Sequence, residues 1–168
     1  MAALRGVRPQ VPGPGQESVW DYPRPPRVER SDRLVVVVLG GVEVCRTAQA
    51  WRVLETSHPP VWYLPAADWA PGSLEPAPGT SYCEFKGVAD YLDVVGRGRR
   101  AERAGWTYRD PTPGFAVLAG AVAVYPAAMD ACTVDGEQVR PQEGGFYGGW
   151  VTDDVVGPFK GAPGTLGW

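Results

Sequence analysis

The chain has 168 residues, a formal net charge of -3, 22 glycines and 18 prolines. This length suits a single domain with a hydrophobic core of its own. The acidic balance argues against a nucleic-acid partner, which usually needs a basic face, and no segment has the apolar length of a membrane span. High glycine and proline content without a repeat predicts many turns and short elements rather than long helices.

The three cysteines are spread singly along the chain, and none belongs to a Cys-x-x-Cys pair. An odd number at wide spacing fits neither a disulfide framework nor a zinc site. Free thiols are typical of a reducing compartment, so we expect a cytoplasmic protein. The chain has one histidine, which excludes a metal site built from several histidines. No metal and no cofactor are expected.

The first half of the chain alternates between strand patterns and breakers. Residues 1–18 are predicted to form a flexible arm, and the prolines that follow force extended backbone. Gly40-Gly41 lies between two strand patterns and predicts a hairpin. The segment 47–56 fits a helical face or a strand, and both readings stay open. The strands predicted in this half are 33–39, 42–46 and 61–64, and residues 65–79, with four prolines, are predicted to be a loop.

The second half continues the same pattern. Strands are predicted at 80–85, 88–95, 101–108 and 121–125, with a helical turn at 113–118. Asp135-Gly136 favours a type I′ hairpin turn between strands 131–134 and 137–139. We therefore expect a mainly β single domain over residues 19–140, an antiparallel barrel or sandwich-like fold with one or two short helical turns. The aromatic residues of the glycine-rich tail 141–168 predict that this tail docks on the domain.

Several segments carry a family resemblance: VWDYP at 19–23, ETSHPPVWYLP at 55–65, YCEFKGVADY at 82–91, AGWTYRDP at 104–111 and VYPAAMD at 124–130. Together they resemble domain-of-unknown-function family 427 over about residues 19–140. The resemblance implies a compact, mainly β domain and no settled activity. A nucleotidyltransferase-like label exists for the family, but Asp90 with Asp93, and Asp153 with Asp154, have the wrong alternation to present two metal ligands from one strand face.

The most informative residues are the two lysines. Lys86 and Lys160 are the only ones in the chain, and both stand in a Phe-Lys-Gly tripeptide. Lysine is a compact charge whose pKa shifts on burial, which suits a binding or catalytic role for Lys86. The alternative is a lysine whose stem packs on aromatic rings while its head lies in water. Strand alternation favours Glu84 or Tyr82 as the partner of Lys86 over Cys83.

The candidate catalytic residues are Glu55, His58, Lys86 and Tyr63. Glu55 or His58 is the candidate base, with Lys86 or Tyr63 as electrostatic stabiliser. Each also has an ordinary structural reading: His58 as a loop residue with a satisfied hydrogen bond, and Glu55 as an acceptor for a backbone donor. Cys83 is a weak candidate nucleophile, since only His58 could serve as its base.

The aromatic residues can form either core or a pocket wall. With Arg24 and Cys83, the candidate ligand-binding residues are Trp20, Tyr22, Trp62, Tyr91, Trp106 and Tyr108. The leading hypothesis is a β-domain that binds a small organic molecule in an aromatic, cationic pocket, with Lys86 and Arg24 facing an anionic group, either as a binding protein or as a metal-free acid–base enzyme. The alternative is an interaction module that uses the proline-rich arm and aromatic tail, and a homodimer is one form of it.

Overall fold

The fold is built from short β-strands joined by tight turns and four 3-10 helical turns. The computed structural model describes residues 6–168. The 3-10 turns are Val19–Asp21, Ala66–Asp68, Pro113–Leu118 and Pro126–Ala128. The strands are β1 (Glu17–Ser18), β2 (Arg27–Ser31), β3 (Val35–Leu39), β4 (Val42–Thr47), β5 (Ala50–Leu54), β6 (Val61–Tyr63), β7 (Leu74–Cys83), β8 (Gly87–Gly96), β9 (Arg99–Thr107), β10 (Val122–Val124), β11 (Ala131–Val134), β12 (Glu137–Gln138), β13 (Arg140–Pro141), β14 (Trp150–Val151) and β15 (Val155–Val156).

The strands form open, mostly antiparallel sheets. Two have four strands, in the orders β10-β9-β8-β7 and β12-β11-β3-β4, and a third has the order β2-β5-β6. Among the strands of residues 6–168, only β1 and β15 pair in parallel. The predicted mainly β, antiparallel fold is confirmed. We expected either a barrel or a sandwich-like architecture. The structure has the sandwich-like one, because none of these sheets closes on itself.

Two turns follow directly from the sequence. Gly40 and Gly41 have φ of 63° and 75°, and Asp135 and Gly136 have φ of 47° and 82°. Positive φ at both central residues is the type I′ condition that matches strand twist. The hairpins β3-β4 and β11-β12 therefore stand where the sequence predicts them.

The predicted loop at residues 65–79 is partly wrong, because β7 begins at Leu74. β7 is the edge strand of its sheet, so Pro76 and Pro78 remove N–H groups with little cost to the ladder. The register is irregular between Pro76 and Thr80, as expected where prolines interrupt pairing. The ambiguous segment 47–56 contains strand β5.

Strand β6 separates two hydrophobic clusters. Successive side chains on a strand point to opposite faces, so Trp62 joins the larger cluster while Tyr63 joins the smaller one. The larger cluster fills the space between the β3 and β8 sheets. The smaller cluster includes Trp106 of β9 and Tyr108, and it forms the floor of the cavity described below.

Residues 10–20 contact the C-terminal segment 157–168. The backbone of Gln10 donates to Gly157, and Trp20 Nε1 donates to the carbonyl of Pro158 at 2.8 Å. The Trp20 ring lies edge-on to that of Trp168. Residues 1–5 of the arm predicted to be flexible lie outside the described residues, whereas its last two residues form β1.

Glycine at position 96 allows β8 to approach β3 closely. A Cβ there would overlap the backbone carbonyl of Leu39. We predict that Gly96→Ala lowers the free energy of unfolding by about 1–3 kcal/mol, because backbone cannot move aside as a flexible side chain can. Gly114→Ala is the matched control, since a Cβ at Gly114 meets no atom within 4 Å. Urea denaturation of both variants tests this, and equal stability of the two would contradict it.

Candidate functional site

A cavity of about 310 Å³ lies over the smaller hydrophobic cluster. Strands β5 to β9 supply one wall, and residues of the tail supply the other. Eight of the twelve predicted site residues line it: Glu55, His58, Tyr63, Cys83, Lys86, Tyr91, Trp106 and Tyr108. The sequence-predicted catalytic set is therefore gathered around one space, while the roles of its members stay predictions.

The other four predicted residues lie elsewhere, for identifiable reasons. Trp62 faces the larger cluster, on the opposite side of β6 from Tyr63. Tyr22 packs with Leu54 in a third cluster, and its hydroxyl donates to Glu17 at 2.7 Å. Trp20 contacts the tail. Arg24 does not line the cavity, but it pairs with Glu55, which does.

The Lys86 side chain turns inward at the end of β7. The strand ends at Cys83, and the next three residues form a turn, so the expected alternation stops there. Lys86 Nζ consequently lies 3.3 Å from Cys83 Sγ, while Tyr82 is 76% exposed. The predicted preference for Tyr82 or Glu84 as the partner is wrong for this reason.

Backbone contacts hold this turn in place. The Lys86 carbonyl accepts a hydrogen bond from the Thr112 amide, and the Thr112 hydroxyl donates to the Phe85 carbonyl at 2.6 Å. Gly87 follows with φ of 103°, a conformation that suits glycine. The turn therefore fixes the direction of the lysine side chain.

The Lys86 ammonium is buried without a carboxylate partner. The residue is 9% exposed and its ammonium lies over the rings of Tyr108 and Phe115, at 5.7 and 5.9 Å. Burial acts to lower its pKa, but the interactions with Tyr63 and Cys83 raise it above the ordinary value, so the side chain is cationic. The alternative of a lysine head in open water is wrong.

Arg52 shows what the fold does with another buried cation. Its side chain, 9% exposed, contacts Glu17 at 2.6 Å and Glu29 at 2.7 Å. Within residues 6–168, no carboxylate lies within 4.0 Å of Lys86 Nζ. Buried charges are normally paired, so Lys86 departs from the rule that Arg52 follows.

The floor of the cavity near Lys86 carries polar hydrogens. Tyr63 is buried, and its hydroxyl oxygen accepts a hydrogen bond from Trp106 Nε1 at 3.2 Å. Burial raises the pKa of Tyr63. Burial, together with the nearby Tyr63 oxygen, also raises the pKa of Tyr108. Both phenols are therefore protonated at neutral pH. Phenol and ammonium groups together favour a guest that accepts hydrogen bonds.

Gln142 determines which nitrogen of His58 carries the proton. The Gln142 side-chain oxygen accepts from the Gly149 amide at 3.0 Å, and its Nε2 donates to the Lys160 carbonyl at 2.7 Å, which fixes the orientation of the amide. The same Nε2 lies 3.1 Å from His58 Nδ1. Because Gln142 Nε2 is a donor, His58 Nδ1 must be the acceptor. The proton of the neutral His58 ring is therefore on His58 Nε2.

His58 is therefore neutral and oriented towards Glu55. Its Nε2 lies 3.5 Å from Glu55 Oε2. Burial lowers its pKa to about 4, and the cations Lys160, Arg24 and Lys86 act in the same direction against the opposing effect of Glu55. Arg24 contacts the same Glu55 oxygen at 3.1 Å. Among the residues described, Glu55 Oε1 has no hydrogen-bond partner.

The tail supplies a wall that the sequence reasoning did not assign to the site. Tyr147 packs edge-on to His58 with ring centroids 4.9 Å apart, and Lys160 Nζ lies 5.5 Å from the centroid of the Tyr147 ring. Gly148 contacts Trp106 so closely that a Cβ would overlap the indole ring. The repeated Phe-Lys-Gly tripeptide was the signal that could have placed Lys160 beside Lys86.

Cys83 differs from the other two cysteines, and all three are free. Burial raises the pKa of Cys45 and of Cys132 to about 12. Cys83 is half-buried and lines the cavity.

Among residues 6–168, no group of three or more His, Cys, Asp and Glu side chains is arranged to hold a metal ion. The carboxylates considered above as metal ligands pair with arginines: Asp90, Asp93, Asp153 and Asp154. In the same part of the chain, no helix combines the length and apolar character needed to cross a membrane.

Fold and cavity together define a mainly antiparallel β domain with an aromatic cavity that contains two lysines. The chain belongs to the family described as a domain of unknown function (DUF427), whose model matches residues 27–135. A comparison with curated proteins finds no match. The matched region runs from β2 to β11 and includes Lys86, but it ends before the tail wall with Tyr147 and Lys160.

The lowered pKa of His58 makes the stability of the fold depend on pH. The unfolded chain binds a proton near pH 6.5 and the folded chain only near about 4. The stabilising contribution of neutral His58 is therefore complete above pH 6.5. As the pH falls towards 4 this contribution is lost, and the free energy of unfolding decreases by roughly 2–3 kcal/mol.

The measurement is urea denaturation at several pH values. The control is His58→Gln, which removes the titrating imidazole and leaves every carboxylate of the chain in place. The difference in the free energy of unfolding between wild type and His58→Gln should shrink as the pH falls from 6.5 towards 4. Because the chain has one histidine, nitrogen-15 shifts of the ring report its pKa and tautomer directly. A ring that titrates near 6.5 in the folded protein would contradict this assignment.

Proposed function

We propose that this protein binds a small organic anion with a flat apolar body, and that the anionic group of the guest lies against the Lys86 ammonium. The observation that carries the proposal is the buried cation without a carboxylate partner, beside a cavity of about 310 Å³. A guest anion would supply the missing counter-charge. Charge-assisted hydrogen bonds are among the stronger polar contacts in proteins.

The walls of the cavity support a flat, apolar guest body. Trp106 and Tyr125 pack with ring centroids 4.7 Å apart, and Tyr91 lines the same space. Small-molecule sites are typically apolar clefts with a few polar groups that fix orientation. An aromatic carboxylate is the simplest molecule with these properties.

Acid–base chemistry is the second part of the proposal, with Glu55 as the base. His58 has its Nδ1 lone pair occupied by Gln142, whereas Glu55 retains a free carboxylate oxygen. His58 acts as a positioning residue that holds Glu55, and Lys86 stabilises negative charge that develops on the guest. No metal ion or cofactor takes part in this scheme.

The free cysteines support a reducing location, and we propose the cytoplasm. The interaction-module alternative depended on exposed tryptophans. Trp150 is buried, while Trp20 and Trp168 are half-buried against each other. The tryptophans therefore do not favour that alternative, and self-association stays a prediction.

Removing the charge of Lys86 should remove discrimination between an anion and its neutral counterpart. We expect wild-type protein to bind benzoate about tenfold or more tightly than benzamide, because only benzoate compensates the ammonium. Lys86→Met should bind both equally. Titration calorimetry measures the affinities, and Arg8→Met, which removes one exposed charge away from the cavity, controls for net charge. Equal preference for benzoate in wild type and Lys86→Met would reject the proposal.

A carbon acid tests the proposed base without knowledge of the natural reaction. We expect the protein to accelerate deuterium incorporation into the methylene group of phenylpyruvate in D₂O, followed by proton NMR. Glu55→Gln should lower the catalysed rate by about 10²-fold or more while phenylpyruvate still binds. Incorporation at the buffer rate with wild type would leave binding alone as the function.

A further inference from the structure

Cys83 and Lys86 bring a thiol and an amine together on the wall of the cavity. Lys86 Nζ lies 3.3 Å from Cys83 Sγ, and both residues line the same space. Lys86 is 9% exposed, and within residues 6–168 the sulfur is the one hydrogen-bond partner of its Nζ. The pair is therefore placed for a reaction between these two atoms as well as for binding a guest.

The turn that carries both residues is closed at its base. Cys83 ends β7 and pairs with Gly87, the first residue of β8, so only three residues lie between them. The amide of Thr112 donates to the Lys86 carbonyl, and its hydroxyl donates to the Phe85 carbonyl. A bond between Sγ and Nζ consequently needs movement of two side chains but no rearrangement of the strands.

The other two cysteines are protected from the same chemistry. Cys45 and Cys132 are 2% and 0% exposed in the larger hydrophobic cluster, and burial raises the pKa of each thiol to about 12. Cys83 instead packs against the smaller cluster and is half-buried at the cavity. A small oxidant that enters the cavity therefore meets one thiol, and the group beside that thiol is an amine rather than a second thiol.

We propose that Cys83 and Lys86 form a reversible sulfur–nitrogen cross-link when a hydroperoxide enters the cavity. In the first step, hydrogen peroxide transfers one oxygen to the Cys83 thiol, which becomes a sulfenic acid, and the peroxide is reduced to water. In the second step, the Lys86 nitrogen attacks the sulfur, so that an S–N bond forms and the S–O bond breaks. The ammonium gives up two protons, one to the oxygen that leaves as water and one to solvent.

The surroundings of the pair favour the second step. Burial acts to lower the pKa of Lys86 against its interactions with Tyr63 and Cys83. Conversion of the thiol to a sulfenic acid changes one of these opposing interactions and leaves the effect of burial in place. Burial, together with the nearby Tyr63 and Cys83, raises the pKa of Tyr108. The Tyr108 hydroxyl is therefore protonated near the sulfur, where it can donate to the departing oxygen.

The cross-link removes the positive charge of Lys86. A nitrogen bonded to sulfur is no longer an ammonium, so the cavity loses the cation that faces the guest anion. This consequence rests on the proposed function, whereas the cross-link itself rests on the 3.3 Å contact. The pair acts as a redox switch in which the reduced protein binds the anion and the oxidised protein releases it. Dithiothreitol reverses the switch, because its two thiols become a disulfide while the Cys83 thiol and the Lys86 amine are restored.

The test exposes full-length protein to hydrogen peroxide, removes the excess with catalase and maps the peptides by mass spectrometry. In wild type we expect a tryptic peptide that contains both residues, is uncut after Lys86 and is lighter by two hydrogen atoms. Dithiothreitol should restore its original mass. Lys86→Arg is the matched control, because it keeps a cation that stays protonated. This variant should stop at the sulfenic acid, which dimedone labels, and Cys83→Ser should give neither product.

Titration of benzoate into the same wild-type samples separates the cross-link from its consequence. Peroxide should weaken benzoate binding about tenfold or more, and dithiothreitol should restore it. Oxidation that stops at the sulfenic or sulfinic acid of Cys83 overturns the cross-link, and so does a Cys83 that resists peroxide. A cross-linked protein that binds benzoate as tightly as the reduced protein overturns the switch. If the cross-link forms but reduced wild type binds no benzoate, the proposed function fails and the cross-link stands.

Discussion

The burial of the Lys86 charge is the constraint on which the functional interpretation depends. An ammonium taken out of water has a large desolvation cost unless other groups compensate it. Here the compensation is partial: aromatic faces of Tyr108 and Phe115 and the sulfur of Cys83. The fold fully compensates Arg52 with two carboxylates. The same chain therefore can pair a buried cation, and the incomplete pairing of Lys86 is a property of the site.

Gln142 connects the β domain to the tail through one side chain. It is 5% exposed, and its amide contacts His58, Gly149 and the Lys160 carbonyl. Substituting this amide would disturb the tautomer of His58 and the position of the second lysine together. The properties of the acid–base pair and of the tail wall are consequently linked, although these elements are far apart in the sequence.

Local patterns were enough to predict much of the fold, whereas long-range contacts were not. Gly40-Gly41 and Asp135-Gly136 predicted their hairpins because turn geometry depends on adjacent residues. The prolines of β7 suggested a loop because the sequence does not reveal that this strand is at a sheet edge.

The same contrast between local patterns and long-range contacts applies to the residues of the site. Residue type alone selected Glu55, His58 and Lys86, but the role of Trp62 depended on which face of β6 it occupies. Lys160 was noticed for its rarity and repeated context, yet only the path of the tail brings it to the cavity. Glycine is needed at positions 148 and 149 because a Cβ at either one would overlap Trp106 or Pro59. Such close packing cannot be inferred from neighbours in the sequence. The tail is therefore part of the cavity wall, and the region of the chain that matches the family contains only one of the two lysines that line the cavity.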